Sequence, residues 1–236
     1  LPPAAMAVSV ANTATSAVAI PATEVYSRFI QLNRDHPQLS QTTALVQDPQ
    51  GFLWIGTQHG LYRYDGHQLE SFRADPTNST SLSADWISSL LVDQQGLLWV
   101  GTRYGGLNRF DAATEQFRRI PLPRDQGAVQ QVEISVLYQD PKLRIWVGTF
   151  GAGLYRWQQA GQLLEEIQLP VAANTIDGHY INALQLDHEG FLWLGSGNAP
   201  LRSRGQAEGG AMRWHPERLE SQIFSVHNSA LTAAAV

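Results

Sequence analysis

The 236-residue chain contains no cysteine, which excludes disulfide bonds, thiolate catalysis and cysteine-ligated zinc. Basic residues are also scarce: 16 Lys and Arg against 21 Asp and Glu give a net charge of −5. The sequence therefore lacks the positive field with which proteins hold nucleic acid, and we expect no nucleic-acid binding. No stretch approaches the roughly 18 continuous apolar residues that a membrane-spanning helix requires.

The first 23 residues differ in composition from the rest of the chain. They are rich in Ala, Val, Thr and Ser, and the small-x-small triplet Ala17-Val18-Ala19 is typical of the end of an export signal. A flexible Ala-rich leader is the alternative. We expect residues 1–23 to be a poorly ordered leader or signal-peptide remnant, and residues 24–236 to form the folded part.

A ten-residue phrase recurs four times, at residues 48–57, 93–102, 140–149 and 187–196. Each copy begins with Asp and places Trp six residues later. The pairs are Asp48 with Trp54, Asp93 with Trp99, Asp140 with Trp146, and Asp187 with Trp193. The tryptophans are spaced by 45, 47 and 47 residues. In a β-rich, Gly-punctuated sequence this period is the length of one β-propeller blade.

The second repeat shows four strands, at residues 87–92, 97–102, 107–110 and 116–120, separated by turn residues. The sequence thus predicts an all-β fold, a β-propeller of about four four-stranded blades. The blades fall at about residues 40–80, 81–128, 129–175 and 176–228, with a fifth beginning at 229–236. Residues 26–32 resemble an outer strand. Because propellers of this repeat length usually need six to eight blades, we expect a partial, truncated ring.

The repeated Trp and Asp residues have structural explanations. We expect each Trp to be buried between blades, and each Asp to accept hydrogen bonds from the N–H groups of its own turn. The glycines at positions 56, 101, 148 and 195 follow each Trp by two residues and leave room for a neighbouring blade. Gly51, Gly96 and Gly190 suit a turn with positive φ. Leu143 occupies that place in the third repeat, which predicts a different turn type there.

The loops opposite these turns are irregular and carry aromatic, charged and His side chains, as a polar small-molecule site would. They join the second strand to the third, or one blade to the next, and include a long insertion at residues 197–210. The candidate ligand-binding residues are His59, Asp85, Trp86, Arg103, Tyr104, Phe150, His179, Tyr180 and Arg202. The alternative is that these are ordinary solvated loop residues.

The inner strands carry no repeated His or carboxylate that could converge on a metal, so the sequence predicts no catalytic residue, no metal site and no cofactor. Two other functions stay open. A propeller lyase or hydrolase fragment is one, because further blades could supply ligands. A protein-interaction scaffold is the other, because a broad propeller face can dock a partner.

Residues 51–66 and 96–111 resemble the two-component regulator propeller repeat, as does the linker at residues 75–83. Leu143 and Ser196 depart from the pattern. The resemblance implies a periplasmic sensor within an inner-membrane protein, which binds a small molecule, often a carbohydrate fragment, without turnover. It also implies two further partners, the remaining blades and a membrane-anchored output domain such as a histidine kinase or diguanylate cyclase. A homodimer formed through the parent protein stays open.

Overall fold

The computed structural model describes residues 36–123, 132–170, 178–197, 209–218 and 220–225. These residues form sixteen strands and one short 3-10 helix, Pro37–Gln41. The first two blades consist of β1 Thr42–Gln47, β2 Leu53–Thr57, β3 Gly60–Tyr64, β4 Leu69–Phe72, β5 Ile87–Val92, β6 Leu98–Thr102, β7 Leu107–Asp111 and β8 Gln116–Ile120. The next two consist of β9 Glu133–Gln139, β10 Ile145–Phe150, β11 Leu154–Gln158, β12 Leu163–Ile167, β13 Ile181–Leu186, β14 Leu192–Ser196, β15 Gly210–Trp214 and β16 Ser221–Ser225.

Each blade is one antiparallel sheet whose four strands are neighbours in chain order. The inner strands of successive blades contact one another, and the four sheets form an arc that does not close into a ring. The all-β propeller with a partial ring, predicted from the repeat, is therefore confirmed. No helix in the described ranges has the length and apolar character needed to cross a membrane. The predicted leader, the outer strand at residues 26–32 and the start of a fifth blade lie outside the described residues.

Every inner strand contains a bulge at its second or third residue. The bulged residues are Thr43, Ser88, Ser135 and Asn182. In the first three blades the bulged hydroxyl donates to the main-chain carbonyl of the residue before the bulge in the next inner strand. The Thr43 hydroxyl donates to Ile87 at 2.6 Å, and the Ser88 hydroxyl donates to Ile134 at 2.7 Å. Because a bulge re-aims one side chain, it turns these hydroxyls toward the neighbouring blade.

Close contact between blades depends on the glycine that follows each Trp by two residues. A Cβ built on Gly56 would lie 2.7 Å from Ile87 of the next blade. One built on Gly101 would lie 2.8 Å from Ile134 of the next blade and would also overlap the Ser89 hydroxyl of its own blade. Real Cβ atoms do not come so close to a carbon, so only glycine fits between these strands. A Cβ built on Gly195 in the fourth blade would have Ala183 of the same blade as its nearest neighbour, at 3.2 Å.

The repeated tryptophans occupy equivalent positions, and Trp54, Trp99 and Trp146 are at most 2% exposed. Each packs against an aromatic ring on the third strand of the next blade. The pairs are Trp54 with Phe110 at 4.9 Å, Trp99 with Trp157 at 5.1 Å, and Trp146 with Trp214 at 6.0 Å between centroids. Trp193 is less deeply buried than the other three, because it is partly exposed and stacks on Phe224 of its own blade. No described blade covers that side of the fourth sheet.

The turn at Leu143 also differs from the prediction. Leu143 adopts a φ of 63°, close to the 81° of Gly96 in the second blade. Its N–H donates to the Asp140 carbonyl at 2.9 Å, as the N–H of Gly96 does to Asp93 at 2.8 Å. The turn type is therefore unchanged. Leucine is held in a left-handed conformation because the hydrogen bonds on both sides of it are those of the other blades.

Candidate functional site

In each blade one turn joins the inner strand to the second strand, and we call it the lower turn. The repeated Asp holds the conformation of this turn by accepting hydrogen bonds. In the second blade, Asp93 Oδ1 accepts from the N–H groups of Gln95 and Leu97, both at 2.9 Å, and Oδ2 accepts from the indole of Trp99 at 2.9 Å. The indole bond recurs in the other blades, from Trp54 to Asp48, Trp146 to Asp140 and Trp193 to Asp187, at 2.8 to 3.0 Å. The oxygens of these carboxylates already accept hydrogen bonds from the turn and from the indole, which leaves them little capacity for ligand binding.

A second repeated contact was not recognised in the sequence. The third strand of every blade pairs an Arg with the Trp of the second strand, as Arg63 does with Trp54 and Arg213 does with Trp193. The Arg63 guanidinium lies 5.6 Å from the centroid of Trp54 and forms an ion pair with Glu70. The Arg pattern is visible at residues 63, 109, 156 and 213, but charged residues on a strand are ordinarily solvated.

Asp187 in the fourth blade combines both contacts. Burial alone would raise the pKa of its carboxyl group. Hydrogen bonds from the Phe191 N–H, the Trp193 indole and the Arg213 guanidinium outweigh burial and hold the pKa of Asp187 well below its usual range. Asp187 is therefore ionised throughout the physiological pH range.

The start of each inner strand and the end of each second strand lie at the other end of the blade, which we call the upper end. The loops at this end are the irregular ones. In the first two blades the residue after the second strand donates its N–H to the carbonyl of the residue before the inner strand: Gln58 to Gln41 at 3.3 Å, and Arg103 to Trp86 at 2.9 Å. In the third blade the corresponding residues, Phe150 and Glu133, are paired in register. The main chain is thus similar in these three blades, whereas the side chains differ.

Five of these upper residues form one continuous line across three blades, which we call the rim cluster: Trp86, Arg103, Glu133, Phe150 and Tyr180. The Arg103 guanidinium carbon lies 4.2 Å from the centroid of Trp86, and its Nε lies 3.4 Å from Glu133 Oε2. Phe150 and Tyr180 are joined by a β-bridge, with ring centroids 4.8 Å apart.

Glu133 was missed in the sequence although the repeat could have identified it. It immediately precedes Ile134, as Trp86 precedes Ile87 and Tyr180 precedes Ile181. Its isolated carboxylate has no counterpart in the other repeats, so a search for repeated acidic residues passes over it.

The remaining predicted site residues are placed differently. Tyr104 is half exposed and lies edge-on to Trp86, with centroids 6.1 Å apart. Asp85 accepts a hydrogen bond from the Ala74 N–H at 2.7 Å and so holds the linker between the first two blades.

His59 is exposed on the first blade. His179 uses its carbonyl to accept from Gly151 and Gly153, at 2.8 and 3.0 Å. Arg202 lies outside the described residues.

A small cavity adjoins the rim cluster beside His179. It has a volume of about 140 Å³ and is lined by Ala152, Gly153, Glu166, Ile167, Gln168, Leu169, Gly178 and His179. Ligand pockets usually enclose about 300 to 1,000 Å³, so this cavity is too small for a typical metabolite. The open rim cluster offers more recognition chemistry, with three aromatic rings and one charge of each sign. Within the ranges that the structure covers, no three His, Asp or Glu side chains are grouped to hold a metal ion.

Comparison with known proteins connects the first two blades to a family. The model of the two component regulator propeller matches residues 38–59 and 81–104, which include the inner and second strands of both blades. This match confirms the resemblance that the repeats predicted. Histidine kinase P4 of Formosa agariphila is 45% identical over 47 residues, which are 19% of this chain and 3% of the kinase.

The fold is shared with larger extracellular domains. The extracellular domain of a hybrid two component system from B. thetaiotaomicron superposes with a TM-score of 0.64 and 20% identity, over 79% of this chain and 25% of that one. A second B. thetaiotaomicron extracellular domain gives 0.63 and 22%, over 83% and 27%. Virginiamycin B lyase from Staphylococcus aureus gives 0.55 and 15%, over 82% and 58%. The chain spans about a quarter of the length of the two extracellular domains.

Proposed function

We propose that this chain, whose first two blades carry the two-component regulator propeller repeat, is part of the extracytoplasmic sensor of a two-component signalling protein. In this proposal the rim cluster binds a small molecule without transforming it. The ligand-bound propeller then acts on a membrane-anchored output domain of the parent protein, such as a histidine kinase. The proposed location is the periplasm.

The observation that carries this proposal is the contrast between the two ends of the blades. At the lower end the Asp and Trp side chains are the same in all four blades and are joined to one another. At the upper end the main chain is similar in the first three blades, yet the side chains differ from one blade to the next. Aromatic surface with a few placed polar groups is the usual composition of a small-molecule site. The match to a histidine kinase supports the signalling role.

Calorimetric titration of the complete extracytoplasmic region of the parent protein against oligosaccharides and small metabolites tests the proposal. A binding compound should be recovered unchanged, and its affinity should fall in Arg103→Ala and Tyr104→Ala. Arg118→Ala is the matched control, because Arg118 is an exposed Arg on the outer strand β8 of the same blade. A compound whose affinity is unaffected by both rim substitutions would locate the site elsewhere. Turnover of the compound would favour an enzyme.

A further inference from the structure

Arg103 is the one cation in the rim cluster, and its guanidinium is only partly used. The main-chain N–H of Arg103 donates to the Trp86 carbonyl, and the guanidinium carbon lies over the Trp86 ring, 4.2 Å from its centroid, in a cation–π contact. Its side chain is 39% exposed. Among the described residues, only Glu133 contacts the guanidinium with an acceptor, and it does so through Nε.

We propose that the rim cluster recognises its ligand through a carboxylate group, which the guanidinium of Arg103 receives. This inference rests on the proposed sensor function and specifies its ligand class. A guanidinium presents paired N–H donors in a planar fork that matches a carboxylate. The Trp86 ring holds this fork in one orientation before the ligand arrives, so less conformational freedom is lost on binding.

The contact with Glu133 does not satisfy Arg103. At 3.4 Å the Nε to Oε2 distance exceeds that of a normal charge-assisted hydrogen bond, and partly exposed ion pairs of this kind are weak. Glu133 therefore leaves the terminal amino groups of Arg103 available. Its charge also repels an incoming carboxylate, so it lowers the affinity for acids. Beyond the carboxylate, the rings of Phe150 and Tyr180 offer apolar surface to the body of the ligand.

The test uses two matched pairs of compounds that differ chiefly in the carboxylate. D-glucuronate is compared with D-glucose, and benzoate with benzyl alcohol, by NMR titration of the whole chain. We expect at least one acid to bind about tenfold more tightly than its neutral partner, which is the usual scale for a charge-assisted pair. The two pairs distinguish a sugar acid from an aromatic acid.

Three substitutions assign the effect to Arg103. Arg103→Gln should abolish the preference for the acid. Glu133→Gln should tighten acid binding several-fold and leave neutral compounds unchanged, because it removes a competing charge. Arg118→Gln is the control. It lowers the net charge of the chain as much as Arg103→Gln does, but it lies on the outer strand of the blade, where its side chain bonds to Gln162.

Equal binding of acids and neutral partners would overturn the carboxylate inference and leave the sensor function standing with a neutral ligand. Failure of all four compounds to bind would also overturn it, while the titration of the complete extracytoplasmic region decides the sensor function separately. Acid binding that is equally weakened by Arg103→Gln and Arg118→Gln would reduce the effect to net charge and would likewise overturn it.

Discussion

Removal of the Asp93 carboxylate should destabilise the chain more than its place in a turn suggests. Asp93 is 5% exposed and accepts three hydrogen bonds, one of them from the indole of Trp99, which is 1% exposed. In Asp93→Ala the indole N–H stays buried without an acceptor, which costs about 1 to 3 kcal/mol. The Leu97 N–H is partly buried and adds about 1 kcal/mol, whereas the Gln95 N–H reaches water. We expect a total of about 2 to 4 kcal/mol.

A double-mutant cycle isolates the indole bond. In a Trp99→Phe background there is no indole N–H to strand, so Asp93→Ala should cost about 1 to 3 kcal/mol less than in the unmodified chain. Urea unfolding followed by far-UV circular dichroism measures each free energy of unfolding, provided that the slope with urea is unchanged. Asp111→Ala is the control, since Asp111 is exposed and accepts one bond, from Ala113. It should cost less than about 0.5 kcal/mol.

Two results would refute this reasoning. A loss below about 1 kcal/mol for Asp93→Ala would mean that water or a neighbouring group replaces the carboxylate at the buried indole. A coupling energy near zero between Asp93 and Trp99 would mean that the cost arises in the turn and not at the tryptophan.

Three further predictions concern the other repeated positions. Gly56→Ala should lower the free energy of unfolding by about 2 to 3 kcal/mol in urea, because its Cβ would overlap Ile87 of the next blade. Gly195→Ala in the fourth blade should cost less than about 1 kcal/mol, and equal losses would contradict the role of blade contact. Leu143→Gly should raise the free energy of unfolding by about 0.5 to 1 kcal/mol, since it relieves a positive φ, and a loss would show that the half-exposed Leu side chain matters more. The pKa of Asp187 is depressed in the folded state, so the stability lost in Asp187→Asn should be largest above a pH of about 4 and shrink as the pH falls through the folded-state pKa. A difference in the free energy of unfolding that does not depend on pH would exclude the carboxylate charge as its source.

The blades could be predicted from the sequence because the repeat states the same pattern four times. The inner strand predicted at residues 87–92 matches β5 Ile87–Val92, and the outer strand at residues 116–120 matches β8 Gln116–Ile120. The Leu143 turn could not be predicted, because leucine disfavours a positive φ and the sequence alone does not show that the flanking hydrogen bonds impose one. The partial exposure of Trp193 depends on whether a blade follows, which the residues of its own repeat do not state.

The candidate site was predicted in part. Trp86, Arg103, Phe150 and Tyr180 were selected for their chemistry and their loop positions, and the structure brings them into one line. Their binding role stays a prediction. Glu133 was missed because it is an isolated charge, and only the alignment of the residues before each inner strand places it beside Arg103. His59 and Asp85 illustrate the converse: the Asp85 carboxylate accepts from the Ala74 N–H, and His59 is exposed on the first blade, which contributes no residue to the rim cluster.

The upper ends of the blades bear on the proposed sensor function, because their side chains can vary without loss of the main-chain bonds. In the first two blades the residue before the inner strand is bonded to the residue after the second strand through the main chain, as Gln41 is to Gln58 and Trp86 is to Arg103. Main-chain bonds do not depend on the side chains attached. These positions can therefore exchange Gln for Trp or Arg without loss of the bond that holds the blade together. The lower turns have no such freedom, because there the Asp and Trp side chains are themselves the bonded groups. A blade can thus change its recognition chemistry at one end while its stability is maintained at the other.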